Sequence, residues 1–396
     1  MSIFMSLAIV AALNSTAIAG PSTKLRTGKP LKIFILAGQS NMQGKGRART
    51  IERLNMTEDG KQMYKDMMGK DGNPAPGKDV YGVNFTAGRQ GPVVLKGPLR
   101  PGYEGKIRPD SSFGPEYTFG IYMQKHLNEP ILIIKTAWGG KNLYQSFRPP
   151  SAGELGPAVS KMSNPKWSTS KYYHDMVKHV NTVLADLGTY HPAYNKDDGY
   201  EITGFIWFQG YNDLVAGYPK VTASEKIPAH TDFSEYSRLM ACFIRDVRKD
   251  FKTPKMPIVM GVMGIDGPIV DTKAKQYWFR NAQEAPAALP EFKGNVAAVR
   301  TEHYWDMVSK KIHDKLHDAA TKQALIDQPN LKARRVGLRK AVDRLKKSMK
   351  TTVLTPEEIN FIEVGESNAS YHYMGSAYCY GKIGKAFADA MDKMVK

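Results

Sequence analysis

The sequence predicts an α/β layer fold with a parallel sheet. Three observations carry this: short apolar runs of strand length, amphipathic helical stretches between them, and turn residues bounding each run. Five runs read as strands: Leu31–Ala37, Pro130–Ala137, Ile202–Phe208, Met256–Met263 and Asn295–Arg300. Their apolarity is continuous rather than alternating. That suits a parallel sheet covered on both faces.

Taken in order, Met1 to Ala19 reads as an export signal. Ile3–Leu13 is apolar, and Ala17-Ile18-Ala19 is a small-x-small cleavage site before Gly20. The expected mature chain, residues 20–396, is one domain. After the first strand, residues 51–112 are rich in Gly, Pro and Lys without a strong period, so an irregular excursion is expected. Helices are predicted over Pro115–His126, Tyr172–Leu187, Asp232–Phe251 and Ala377–Met394. In the third, Phe233, Tyr236, Leu239, Met240, Phe243, Ile244, Val247 and Phe251 form one stripe. Residues 309–350 read as a basic helical insertion, with thirteen Lys/Arg against four Asp, 13 − 4 = +9.

Composition narrows the class. The 396 residues are 42% hydrophobic and 24% charged, which excludes disordered and fibrous chains. Two cysteines, Cys242 and Cys379, exclude a disulfide framework and a Cys-rich zinc site. Lys+Arg 56 against Asp+Glu 38 gives +18, a balance that favours acidic partners: nucleic acid, anionic lipid or an anionic polysaccharide. Nucleic acid is disfavoured by the export signal and by the lack of a helix-turn-helix or RNA-binding signature. No second apolar run is long enough to span a bilayer.

Ligands of parallel α/β sheets sit at the carboxyl ends of the strands. The first strand is followed by Gly38-Gln39-Ser40-Asn41-Met42, the second by Trp138-Gly139-Gly140-Lys141-Asn142, and the third by Gln209-Gly210-Tyr211-Asn212-Asp213. A hydroxyl, two glycines and two amides on one rim are the groups acyl transfer needs: a nucleophile, and N–H donors for the oxyanion. Ser40 is the candidate nucleophile, though an N-cap serine would look the same. Gly139-Gly140 equally suits a plain turn. His372, just before the last predicted helix, is the candidate base, and a packed loop histidine is its alternative. No histidine pair has metal-ligand spacing.

These blocks, with Trp207-Phe208-Gln209-Gly210 and Tyr371-His372-Tyr373-Met374-Gly375-Ser376-Ala377, resemble the SGNH hydrolase superfamily. The nearest branch is the sialate O-acetylesterase-like and acetylxylan-esterase-like carbohydrate esterases. The resemblance implies a flavodoxin-like three-layer α/β/α domain with five parallel strands. It also implies Ser40 as nucleophile, His372 as general base, a glycine of Gly139-Gly140 in the oxyanion hole, and Gln209 or Asn212 as amide donor. No cofactor is required by such a mechanism. Two positions depart from the pattern. Ala369 stands where the superfamily has the triad Asp, leaving Glu366, Glu363, Asp306 or the neutral Asn368 as candidates for that place, or a Ser–His dyad. Tyr211 stands where the branch has Glu.

The expected function is a secreted or periplasmic serine esterase removing O-acetyl or other short O-acyl groups from an extracellular polysaccharide. Trp138, Tyr144, Trp207, Tyr211, Tyr371 and Tyr373 suggest an aromatic rim for sugar rings, and residues 309–350 suggest an anionic glycan. A non-catalytic secreted polyanion-binding protein would explain the charge but leaves the four ordered motifs unexplained. A general short-chain esterase without sugar preference is the alternative within enzymes. The Gly-x-Ser-x-Gly elbow of α/β-hydrolases is absent.

Overall fold

Strand β1, Leu31–Gly38, is buried along nearly its whole length, and its place in the sheet explains why. It lies at the centre, between β4 (Ile131–Ala137) and β5 (Tyr200–Phe208), and pairs in parallel with both. Beyond β5 come β6 (Ile258–Val262) and β7 (Val296–Arg300), also parallel. Beyond β4 come β2 (Val80–Gly88) and β3 (Gly91–Pro98), giving the order β3-β2-β4-β1-β5-β6-β7. The computed structural model describes residues 28–88, 91–103, 105–155, 168–218, 232–330 and 335–396. The expected export signal, residues 1–19, lies outside the described residues.

All five predicted strands are present, but the sheet has seven. The two additional strands come from the 51–112 excursion, which is therefore not simply irregular. β2 runs parallel to β4, and β3 returns antiparallel along its outer side. Both are broken by Gly, Asn or Pro (VYGVNFTAG and GPVVLKGP), so neither reads as a continuous apolar run. Pairing supplies what local sequence does not: β2 seats Val80, Val83 and Phe85 in the core.

Helices cover the sheet where the periodicity placed them, over Glu116–Leu127, Lys171–Leu184, Ser234–Asp250 and Ala377–Val395. Adjacent residues of β5 reach different helices, because strand side chains alternate between faces. Phe208 packs on Phe387 with ring centroids 5.5 Å apart, while Trp207 packs on Phe243 at 4.4 Å. The basic segment forms helices Met307–Asp327 and Arg335–Ser348, joined through a small cluster of Ala320, Ala324 and Val342. Cys242 and Cys379 are both buried and free. Among the described residues no helix is long and apolar enough to cross a membrane.

The chain leaves β1 for one side of the sheet and returns across it to build the other. The carboxyl ends of β1, β4 and β5 therefore meet at a switch point, where ligand crevices form in α/β sheets. The three motif blocks follow these three strands.

Candidate active site

β1 approaches β5 so closely at Gly38 that a β-carbon there would lie 2.1 Å from the Phe208 carbonyl oxygen. Only glycine fits. The chain then turns into the short helix Ser40–Gln43. Ser40 is 8% exposed, and its Oγ makes no hydrogen bond with the described residues. Lys135 of β4 supports the end of this helix: its Nζ donates to the Gln43 carbonyl at 3.1 Å and pairs with Glu116 at 2.6 Å. Burial pushes Lys135 down, and Glu116 opposes that.

His372 reaches the same rim from the far end of the chain. Asn41 Nδ2 donates to the Tyr371 carbonyl at 3.2 Å. The buried Tyr380 hydroxyl bridges Asn41 Oδ1 at 2.8 Å and the His372 carbonyl at 3.1 Å. The turn is sharpened by Tyr373 and Met374, both left-handed (φ 50° and 57°), a conformation side-chain-bearing residues rarely hold unless fixed by their surroundings. Tyr373 is fixed: its hydroxyl accepts from the Gly264 N–H at 2.7 Å and meets the Thr301 hydroxyl at 2.6 Å.

The His372 ring is set by Asn368. Asn368 Oδ1 accepts from the Ala369 N–H at 2.9 Å, which identifies that atom as the oxygen. The same oxygen is 2.9 Å from His372 Nδ1, so Nδ1 carries the proton and Nε2 keeps its lone pair. Burial, then the Lys45 ammonium, hold His372 down at about 4, so the ring is neutral near pH 7.

The glycines differ from each other. A β-carbon on Gly139 would lie 3.8 Å from Ser40 Cβ, so the Gly139 backbone runs beside the serine. Gly140 faces open space, and its need for glycine is a φ of 75°. The two amides also differ. Gln209 is 2% exposed, and its amide nitrogen faces Gln39 Oε1 and the Lys141 carbonyl, each at 3.1 Å, and the Asp213 carboxylate. Its two N–H groups are thereby engaged in holding loops together. Asn212 accepts from Gln39 Nε2 at 3.0 Å, and its own Nδ2 makes no hydrogen bond with the described residues. Asn212 is thus the amide with a donor to offer.

Asp213 and Gln39 were not singled out from sequence, yet they join the blocks. Asp213 is fully buried and accepts from the Leu143 N–H (3.0 Å), the Tyr144 N–H (3.2 Å), the Tyr218 hydroxyl (2.6 Å) and Gln209. Burial pushes its carboxyl up, and these donors pull against that. Its position after Asn212 in the motif was the only available signal.

The carboxylates considered for the triad sit elsewhere. Glu366 faces His313 Nε2 at 2.8 Å and the Ser309 hydroxyl. Asp306 pairs with Arg53 at 2.8 Å and caps helix Met307–Asp327 through the Val308 and Ser309 N–H groups. Glu363 pairs with Lys350 at 2.7 Å. Asn368 alone of the candidates touches His372. The aromatic rim is also smaller than its composition suggested. Trp138, Tyr144, Trp207 and Tyr373 are core residues, leaving Tyr211 and Tyr371, whose rings stack with centroids 5.5 Å apart.

Comparison with known proteins bears on this arrangement. No curated protein matches the chain. Among solved structures, an Arabidopsis thaliana protein is 19% identical, with 69% of this chain and 86% of that one covered at a TM-score of 0.37. A carbohydrate acetylesterase from Xanthomonas citri is 15% identical over 67% of this chain and 49% of that one, with a TM-score of 0.39. NanS is 16% identical over 68% and 78%, with a TM-score of 0.36. The family profile described as carbohydrate esterase, sialic acid-specific acetylesterase matches residues 30–328, which include the first three motif blocks. The chain therefore belongs to that carbohydrate esterase family and is a carboxylic ester hydrolase.

Proposed function

We propose that the protein is an exported serine esterase that removes O-acetyl, or other short O-acyl, groups from a polysaccharide. The observation that carries this reading is the neutral His372, oriented by Asn368, on a loop tied to Asn41 beside Ser40. In the proposed mechanism His372 Nε2 takes the Ser40 proton as Oγ attacks the ester carbonyl. The Ser40 and Gly139 N–H groups and Asn212 Nδ2 receive the negative charge that develops on the carbonyl oxygen. Collapse of that intermediate expels the sugar hydroxyl, which takes the proton from His372. Water then releases the acid from Ser40 by the same route, with His372 as base. The neutral Asn368 orients the imidazole without stabilising imidazolium by charge.

Export is supported by the apolar run and Ala17-Ile18-Ala19, and we read the layers as the flavodoxin-like α/β/α arrangement that the resemblance implies. A negatively charged polymer is favoured by exposed Lys311, Lys322, Arg339, Lys340, Arg344 and Lys347. Three other lysines of that segment are already paired, to Asp314, Glu358 and Glu363. If the exposed charges hold polymer, raising salt weakens glycan binding steeply. Binding that stays constant across a salt titration removes the anionic glycan and leaves the esterase.

The deciding experiment is release of acetate from a small chromogenic acetyl ester by wild type and Ser40→Ala. Loss of activity with the fold intact supports Ser40 as nucleophile. Equal rates remove it.

A further inference from the structure

Two clefts flank the His372 loop. The larger, about 680 Å³, lies between that loop and the basic helices, with Trp305, Lys310, His313, His317 and Lys346 among its lining. The smaller, about 310 Å³, lies beside Tyr211, Val215, Lys275 and Tyr371. Both are within the size range of ligand pockets. They share Asp266 and Ser370, so they form one two-lobed groove passing the catalytic loop.

The groove is not basic, although the chain is. In the larger lobe Lys310 and Lys346 stand against Asp266, Asp314 and Glu366, so the lysines do not outnumber the carboxylates. In the smaller lobe Lys275 stands against Asp266, 1 − 1 = 0. An anionic unit gains nothing by entering either lobe. The stacked Tyr211 and Tyr371 present aromatic faces in the smaller lobe, while Trp305 borders the larger lobe from the core.

Asp266, at the junction, is a built feature. It holds a left-handed backbone (φ 68°), as does Gly267 after it. Buried Arg280 clamps the turn on both sides, donating to the Ile265 carbonyl at 2.8 Å and the Gly267 carbonyl at 2.9 Å. Within the larger lobe Asp314 is paired to Lys310, and Glu366 to His313. The Asp266 carboxylate makes no hydrogen bond with the described residues. A rigid acceptor without a hydrogen-bonded side-chain partner, beside the stacked tyrosines, matches a sugar, whose ring carbons stack and whose hydroxyls donate.

We propose that this groove seats uncharged sugar units on either side of the acylated one, with Asp266 accepting their hydroxyls. The proposal rests on the esterase reading and adds to it the part of the substrate that is recognised. Charged groups of the polymer then lie outside the groove, against the exposed face of the basic helices.

The test uses partially O-acetylated neutral mono- to tetrasaccharides prepared from xylan, mannan and cellulose, beside the small chromogenic ester. For wild type, KM is expected to fall as the oligosaccharide lengthens. Asp266→Asn is expected to lower the ratio of kcat/KM on the best tetrasaccharide to that on the small ester about tenfold, through KM. Acetylated oligouronides are expected to be poorer substrates than neutral ones of equal length. A wild type that cleaves the small ester with no gain from chain length overturns the groove and leaves the esterase standing. An unchanged ratio in Asp266→Asn overturns the role of Asp266. Silence of the intact wild-type protein on every ester overturns both readings.

Discussion

Asn368 holds His372 through its side-chain oxygen, 2.9 Å from Nδ1, in the place where a charged acid would serve the same ring. The geometry selects the tautomer with a free Nε2, but an imidazolium formed in the proposed mechanism would gain no counter-charge.

Asn368→Asp is therefore expected to raise both the pKa of His372 and kcat. Wild-type kcat/KM should lose activity on acidification only near pH 4, not near 6.5, because the base works while unprotonated. A carboxylate at 2.9 Å favours the protonated ring, so the acid limb should move up by about one to three pH units. The gain in kcat should be at least about tenfold, since loss of the acid in a related triad costs about 10⁴. A pH–rate profile of both proteins checks this.

Gly139 and Gly140 are expected to fail differently when changed to alanine. Gly140→Ala forces a side chain to φ 75° and should lower stability by about 1–2 kcal/mol, with kcat little altered. Gly139→Ala brings a methyl 3.8 Å from Ser40 Cβ and 3.2 Å from the end of the Gln43 side chain. Stability should change little, while crowding beside the serine lowers kcat by about 10²-fold. Thermal melts and initial rates separate the two.

Tyr380→Phe removes the hydroxyl that bridges Asn41 and the His372 carbonyl. Asn41 Oδ1 is left buried without that donor, so stability should fall by about 1–3 kcal/mol. The His372 loop then keeps only the Asn41–Tyr371 bond to the Ser40 helix, so kcat should fall more than KM changes. Urea titration with steady-state kinetics reads both effects.

Asp213→Ala leaves the Leu143 and Tyr144 N–H groups, the Tyr218 hydroxyl and Gln209 without their shared acceptor. Several buried donors left unpaired should destabilise the protein by more than about 3 kcal/mol. Activity should be lost even below the melting temperature, because the Gly139 and Asn212 loops lose their common tie. A melt combined with activity measured at low temperature checks this.

The parts legible in the sequence were those written locally. β1 and β4–β7 show as apolar runs, and the helix Ser234–Asp250 shows as a stripe with a period near 3.6. β2 and β3 were hidden because Gly82, Asn84, Pro92 and Gly97 interrupt them, and their strand character comes from pairing next to β4. The serine, histidine and glycine blocks were legible as an ordered set. What Gln209 does was not, since a buried amide holding loops and an exposed amide offering a proton have the same letter. The absence of Glu366 from His372 was equally hidden. Its pairing with His313 depends on how helix Met307–Asp327 docks, which no local pattern records.

Asn41 and Tyr371, which tie the serine helix to the histidine loop, are 330 positions apart in the chain. The clasp on that tie, Tyr380, belongs to helix Ala377–Val395, which packs along helix Glu116–Leu127 and the strands of the second half of the sheet. On the proposed mechanism, hydrolytic competence is therefore a late event in the life of each molecule. A nascent chain would then hold a finished β1 and its serine and still be inert until that helix arrives. Onset of ester cleavage during refolding would then serve as a clock for the final docking step, trailing any probe that reports only the sheet.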